Sequence, residues 1–133
     1  RTLVLIKPDA IQNGHKDEII KIIEENGFKI IQEREIHLSK KKARSFYKEH
    51  AGKNFYKKLI DWMNSVPIYA MVLEKDNAIQ DWKELIGPTD AKKARETKPH
   101  SIRALFGTDG LQNAVHGSDS EESVKREIEI LFG

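Results

Sequence analysis

The feature that most limits what this chain can become is an apolar run, Thr2-Leu3-Val4-Leu5-Ile6, halted at once by Lys7-Pro8-Asp9. A short, partly β-branched run without polar interruption reads as a buried central strand. Pro8 has no N–H for a ladder, so it ends the strand and suits a turn or a first helical position. Lys7 at the end of such a strand is either a snorkelling rim residue or a cation aimed into a cleft. Ile68 to Glu74, IYAMVLE, reads as a further apolar strand.

The remaining elements follow from periodicity and caps. Asp17 to Glu25 reads as a helix with Ile19, Ile20, Ile22 and Ile23 inward, closed by a left-handed cap at Asn26-Gly27. Phe28 to Leu38 reads as a long strand, with Phe28, Ile30 and Ile36 among its apolar positions. Ser39 caps a helix running to about His50, whose Lys40-Lys41-Lys42 run reads as a solvated face. Gly52-Lys53-Asn54 breaks the chain before a helix from Phe55 to Asn64, with Leu59, Ile60 and Met63 inward. Tyr47, Phe55 and Tyr56 cluster about this helical hairpin, where packing alone would explain them. Asn77 to Ile86 reads as a helix, with Gln80 completing a capping box. Gly87-Pro88-Thr89-Asp90 ends it and begins a short helical turn, and Lys92 to Pro99 reads as a basic surface loop. The order is strand, helix, strand, helices, strand, helices, short strand, helix. That is a split βαβ arrangement: an α+β, ferredoxin-like sandwich with a four-stranded antiparallel sheet and additional helices.

Chemistry concentrates in Arg103 to Glu127. Ala114-Val115 ends a short buried strand, delivering His116 at its rim, and Gly117 permits a sharp turn there. Ser118 then starts a helix, with Glu121 as capping-box partner. On that helix Val124, Glu127, Ile128 and Leu131 share one face. Glu127 is the odd member, because a carboxylate on an apolar face needs a partner. His116 is the nearest candidate, and a histidine oriented by a buried carboxylate has the geometry of a nucleophile or a proton shuttle. Lys7, Lys83 and Arg103, with Thr89 and Asn113, can clamp a polyphosphate through charge-assisted hydrogen bonds. Jointly these residues suggest phosphoryl transfer through His116.

Other chemistries lack their motifs. There is no GxxxxGK(S/T) loop, no GxGxxG after a strand and no HExxH. Ser118 lies in Gly-Ser-Asp, not in GxSxG, and His15, His37, His50 and His100 lack metal-ligand spacing. The 133 residues fit one domain with a real core, and 38% hydrophobic against 33% charged residues fits a globular protein with a well-solvated surface. A net charge of +2 gives no strong nucleic-acid footprint, so binding there through Lys92 to Lys98 is a distant third reading. No apolar run approaches a membrane span. The lack of cysteine removes disulfides and thiolate metal sites; it fits a reducing compartment and is also compatible with secretion, and a cytoplasmic setting is the expectation. A chain that opens at Arg1, directly into a strand, reads as a trimmed chain or a domain of something longer.

With those residues in view, the chain resembles the nucleoside diphosphate kinases over essentially its whole length, residues 1–133 as a single domain. The matching pieces are Lys7-Pro8-Asp9, Tyr47 eight residues before Phe55, Gly87-Pro88-Thr89 and Ser101-Ile102-Arg103. The most specific is Asn113-Ala114-Val115-His116-Gly117-Ser118-Asp119. The resemblance implies a ping-pong kinase that carries the terminal phosphoryl group of a nucleoside triphosphate on His116 and passes it to a nucleoside diphosphate. It implies that Glu127 orients the imidazole, with Ser118 as its hydrogen-bonding neighbour. Lys7 and Asn113 would hold the ribose and the polar end of the nucleotide. Tyr47, Lys7 and Arg103 would lie near the moving phosphate, and Thr89 and Lys83 would grip the distal phosphates. Phe55 would stack on the base with Leu59 beside it, a contact tolerant of base identity. Mg²⁺ would arrive with the nucleotide, with no metal site of the protein's own, and the resemblance implies a homo-oligomer.

Departures from the family pattern are Lys83 for a common arginine, a point charge in place of a fork, and Gln112, Asn13 and Ala10. The segment from Thr89 to Arg103 is about three residues longer than usual, a change loops absorb readily. The chain also ends at Gly133, before the tail many members use in subunit contacts. The longer segment resembles the divergent branch that includes flagellar and ciliary proteins. It motivates an alternative: a catalytically weak nucleotide-binding scaffold domain of a larger flagellar or cytoskeletal protein.

Overall fold

The computed structural model describes residues 1–133. Four strands, β1 (Thr2–Ile6), β2 (Lys29–Ile36), β3 (Ile68–Glu74) and β4 (Val115–Gly117), form one sheet in the order β2-β3-β1-β4, and every neighbouring pair is antiparallel. The helices are α1 (Pro8–Gln12), α2 (Lys16–Glu25), α3 (Lys40–Phe46), α4 (Tyr56–Asn64), α5 (Ala78–Ile86), α6 (Ala91–Thr97), α7 (Ile102–Phe106) and α8 (Glu121–Phe132), with a 3-10 turn at Lys48–His50. This is the ferredoxin-like α+β arrangement that the element order predicts.

β1 is buried at all five residues because both faces of the sheet are covered. Successive side chains point to opposite faces. Leu3 and Leu5, with Ala70 and Val72 of β3, pack under Ala43 and Phe46 of α3, Leu59 and Met63 of α4 and Leu131 of α8. Val4 and Ile6, with Met71 and Leu73, pack against Ile19 and Ile23 of α2, Trp82 of α5 and Ile102 of α7. At roughly 1.5–3 kcal/mol per fully buried large aliphatic side chain, these two layers supply most of the driving force. They also fix the register, Leu5 opposite His116 and Val4 opposite Met71.

Several local expectations are corrected. On α2 only Ile19 and Ile23, one turn apart, are buried, while Ile20 and Ile22 are half-buried at its flanks. The helix expected from Lys40 to His50 gives way after Phe46 to the 3-10 turn. The expected loop from Lys92 to Pro99 is largely helix α6: Asp90 accepts a bond from Lys92 N at 3.0 Å, and Ala91 and Ala94 are fully buried. Ser101 likewise caps an unforeseen helix, α7, accepting from Ala104 N at 3.3 Å. Asn77 makes no side-chain cap; it sits at φ 61°, so the box with Gln80 does not form. The cap of α8 is Ser120, which accepts from Ser123 N at 3.1 Å, and Ser118 is left for another use.

Candidate active site

β4 is three residues long and lies at the sheet edge, yet bonds from distant residues hold its entry tightly. Ala114, just before it, has φ 74°, a left-handed conformation unusual for a residue with a Cβ. Val115 N donates to Asn113 O at 2.9 Å across it, closing a γ-turn. Such strain costs roughly 1–3 kcal/mol and persists only where surroundings enforce it. Here Lys7 N donates to Ala114 O at 2.8 Å, Ala114 N donates to Asp9 Oδ2 at 2.9 Å, and Arg103 Nη2 donates to Val115 O at 3.0 Å. The sharp turn expected at Gly117 is not made there: Gly117 lies within β4 and has no positive φ. A Cβ there would lie 2.6 Å from Trp82 Cδ1, so glycine is required by close approach to the indole, whose Nε1 donates to His116 O at 3.3 Å.

The turn delivers His116 to the face covered by α3 and α8. Its Nε2 lies 2.9 Å from Glu127 Oε1, and a carboxylate can only accept, so in the neutral imidazole Nε2 carries the proton and Nδ1 the lone pair. Nδ1 has no protein partner. Ser118, fully buried, donates to the same carboxylate oxygen at 2.7 Å. Arg126 Nη2 lies 3.8 Å from Glu127 Oε2, and the same guanidinium donates to Ser45 O at 3.0 Å and to Glu49 Oε1 at 3.1 Å. It ties α8 to the end of α3. The rings of Phe46 and Tyr47 meet the imidazole edge-to-face at 4.9 and 6.0 Å, fencing it against rotation.

His116 opens onto a cleft of about 680 Å³ whose lining includes Lys7, Tyr47, Phe55, Leu59, Lys83, Thr89, Arg103 and Asn113. The sequence-derived site residues therefore converge on one cleft, with Glu127 and Ser118 buried behind the histidine. Lys7, 5% exposed, donates to Leu111 O at 2.8 Å and to Asn113 Oδ1 at 2.9 Å. Burial pulls its pKa down from 10.5 to about 8, against the pull of Asp9. Arg103 donates through Nη1 to Gly87 O at 3.0 Å, and burial lowers its pKa to about 10. Its Nε and the Tyr47 hydroxyl are buried without partners. Burial, then the Glu127 charge, pushes the Tyr47 phenol well above its ordinary range, so it stays a neutral donor. Asn113 Nδ2 bonds Thr89 O at 2.9 Å and so fixes the cleft's far wall. Lys83 bonds Asp119 at 2.9 Å at the rim, which holds that carboxyl below its usual range. Phe55 is 43% exposed, a large aromatic face left uncovered at the mouth.

Sequence reasoning missed three participants. His50 lines the cleft between the Tyr47 and Phe55 rings, at 6.2 and 5.4 Å. Burial first, then Lys53, lowers its pKa. Its position midway between two expected site aromatics was the available signal. Asp119, closing the run from Asn113, and Asp9, closing Lys7-Pro8-Asp9, were within quoted motifs but given no role. No group of three or more His, Asp or Glu side chains is arranged to hold a metal ion.

The fold and site together define a class: a ferredoxin-like sandwich whose edge strand presents a carboxylate-held histidine to a cationic cleft. The chain belongs to the nucleoside diphosphate kinase family, whose family model matches residues 1–133. It is 48% identical over 128 residues to the probable nucleoside diphosphate kinase 5 of Arabidopsis thaliana, covering 96% of this chain and 89% of that protein. It is 47% identical over 132 residues to nucleoside diphosphate kinase homolog 7 of Rattus norvegicus, covering 99% of this chain and 33% of that protein. It is 50% identical over 131 residues to the thioredoxin domain-containing protein 3 homolog of Heliocidaris crassispina, covering 98% of this chain and 16% of that protein. Among solved structures, the Aquifex aeolicus nucleoside diphosphate kinase superposes with a TM-score of 0.97 at 42% identity, covering 99% of this chain and 94% of that one. A halophilic nucleoside diphosphate kinase from Halobacterium salinarum, in complex with CDP, superposes with a TM-score of 0.92 at 34% identity, covering 98% and 86%. No helix is long and apolar enough to cross a membrane.

Proposed function

We propose that residues 1–133 form one catalytic domain that moves the terminal phosphoryl group of a nucleoside triphosphate to a nucleoside diphosphate through a phosphohistidine on His116. The observation that carries this reading is the split between the two ring nitrogens: Nε2 is bonded to Glu127 at 2.9 Å, and Nδ1 is free of protein partners on a cleft-lining side chain. The Nδ1 lone pair attacks the γ-phosphorus while the bond to the β,γ-bridging oxygen breaks, and the diphosphate leaves with that electron pair. The imidazolium charge that develops is balanced by Glu127, whose own position is held by Ser118. In the second half-reaction a terminal oxygen of a different diphosphate attacks the phosphorus and the N–P bond breaks.

The cleft supports this with positioning and charge. Arg103, Lys7 and the Tyr47 hydroxyl are donors beside the transferred group, two of them with buried donor atoms that lack a protein acceptor. Lys83, Thr89 and His50 form the phosphate-side rim, and Phe55 with Leu59 offers a stacking face that does not read base edges. Mg²⁺ enters as part of the nucleotide substrate and spreads the phosphate charge. The homo-oligomer is part of the same proposal.

A second reading has one specific observation behind it: the chain spans 33%, 16% and 21% of three relatives, two of them thioredoxin-domain proteins. In it the domain is a catalytically weak nucleotide-binding scaffold within a longer flagellar or cytoskeletal protein. Initial rates measured over a grid of triphosphate and diphosphate concentrations separate the two. Parallel double-reciprocal lines, with kcat reduced by about 10²-fold in Glu127→Gln, are expected. Intersecting lines would contradict the covalent intermediate, and binding without turnover would favour the second reading.

A further inference from the structure

Asp9 is 3% exposed, lines no part of the cleft and touches neither His116 nor any cleft cation by a hydrogen bond. Its hydrogen bond is to the amide of Ala114, at 2.9 Å, across 105 positions of sequence, while its Oδ1 is buried without a partner near the Trp62 indole. That amide belongs to the residue at φ 74°, which is fully buried in the apolar layer containing Val4, Ile6 and Val115 and does not line the cleft. An alanine there gains nothing intrinsic from a left-handed backbone, so something must hold it. Resting on the phosphohistidine reading, we propose that Asp9 is a positioning residue for the phosphotransfer: it clamps the strained turn at Ala114 and thereby sets where His116 stands.

The clamp has a defined geometry. β1 runs into Lys7, whose N–H grips Ala114 O at 2.8 Å; two residues on, Asp9 grips Ala114 N from the first turn of α1. Both peptide groups of the turn residue are therefore held by the stretch Lys7-Pro8-Asp9. Pro8, at the first helical position, fixes the backbone between the two grips. From Ala114 the chain has one residue, Val115, before the imidazole. A relaxation of Ala114 to negative φ would swing β4 and move Nδ1 relative to Lys7 and Arg103, and catalysis is sensitive to displacements of about 1 Å. The negative charge of Asp9 also faces Lys7, so a role through charge alone must be separated from a role through the turn.

Glycine separates them, because it adopts φ 74° without being held. The variants are Asp9→Ala, Ala114→Gly and the double variant, read by rate of His116 phosphorylation with γ-labelled ATP, nucleotide Kd, and Tm. Asp9→Ala is expected to slow phosphorylation at least tenfold with nucleotide Kd within threefold. Adding Ala114→Gly is expected to restore at least a third of the lost rate, since the turn no longer needs its anchor. Absence of loss in Asp9→Ala, or loss that Ala114→Gly leaves untouched, would overturn the proposal. Should Asp9→Ala be too unstable to assay, Asp9→Asn at pH 6.5 replaces it. A rate near that of the wild type, from the amide oxygen accepting the same bond, or a loss that Ala114→Gly restores, upholds the clamp; a loss it does not restore overturns it. A wild-type chain that takes up no label would instead count against the phosphohistidine reading itself.

Discussion

Lys7 carries its charge in the cleft only up to about pH 8, because burial opposes the ammonium, Asp9 works against that and Arg103 adds to it. The proposed nucleotide contacts need the charged form. Catalytic efficiency should therefore fall as pH rises through about 8, and Lys7→Met, slower throughout, should lose that limb; an unchanged limb in the variant would assign it elsewhere. The same shift has a consequence for stability. Between about 8 and the ordinary value of 10.5 the unfolded chain holds this proton and the folded chain does not. Stability contributed by Lys7 therefore rises with pH across that window, and denaturation midpoints of Lys7→Met should lack the rise. Lys7 was legible in the sequence as a misplaced charge at the end of a buried strand, and Glu127 as a carboxylate on an apolar helix face. Asp9 was not, because its partner is a backbone amide on a distant strand and no side-chain pattern records it. Nor did the sequence show which imidazole nitrogen Glu127 would take.

At the scale of elements, the start of α8 separates the helix cap from the serine that bonds Glu127. Ser120 accepts from the Ser123 amide, while Ser118, two residues earlier, turns inward to Glu127 at 2.7 Å. Ser120→Ala should cost about 1 kcal/mol of stability, a few degrees of Tm, with turnover within twofold. Ser118→Ala should lower turnover by at least fivefold, because Glu127 loses one of its two close partners. Equal activity losses in both variants would contradict this division of roles. Two serines in one short run are indistinguishable as caps by sequence spacing, and only burial decides between them. The same limit explains α6: its Lys- and Arg-rich face reads as loop, and the two alanines that bury against the neighbouring helix are too small to give a hydrophobic pattern. Strands β1 and β3 were legible with their boundaries intact because both faces are covered, leaving no polar interruption in their sequences. β4 was legible only as an apolar pair before a histidine, since its geometry comes from the clamp around Ala114.

The whole molecule can be described as two apolar layers on one sheet, with the site where the short edge strand meets helices from both sides. Trp82 approaches β4 from one face, Phe46 and Glu127 from the other, and Arg126 ties α8 to the α3 end that carries Tyr47. Nothing in that arrangement requires the rest of the cleft to move for His116 to be oriented. The imidazole is held by Glu127 and by the rings of Phe46 and Tyr47, as the proposed phosphohistidine mechanism requires. In the proposed mechanism the phosphoryl carrier is His116. A brief incubation of the chain with γ-labelled ATP and Mg²⁺, beside His116→Ala, tests it directly. Acid-labile, alkali-stable label is predicted on the wild-type chain alone, and unlabelled GDP should release it as labelled GTP. A folded wild-type chain that binds nucleotide and takes up no label, or a His116→Ala variant labelled equally, would rule out His116 as the carrier.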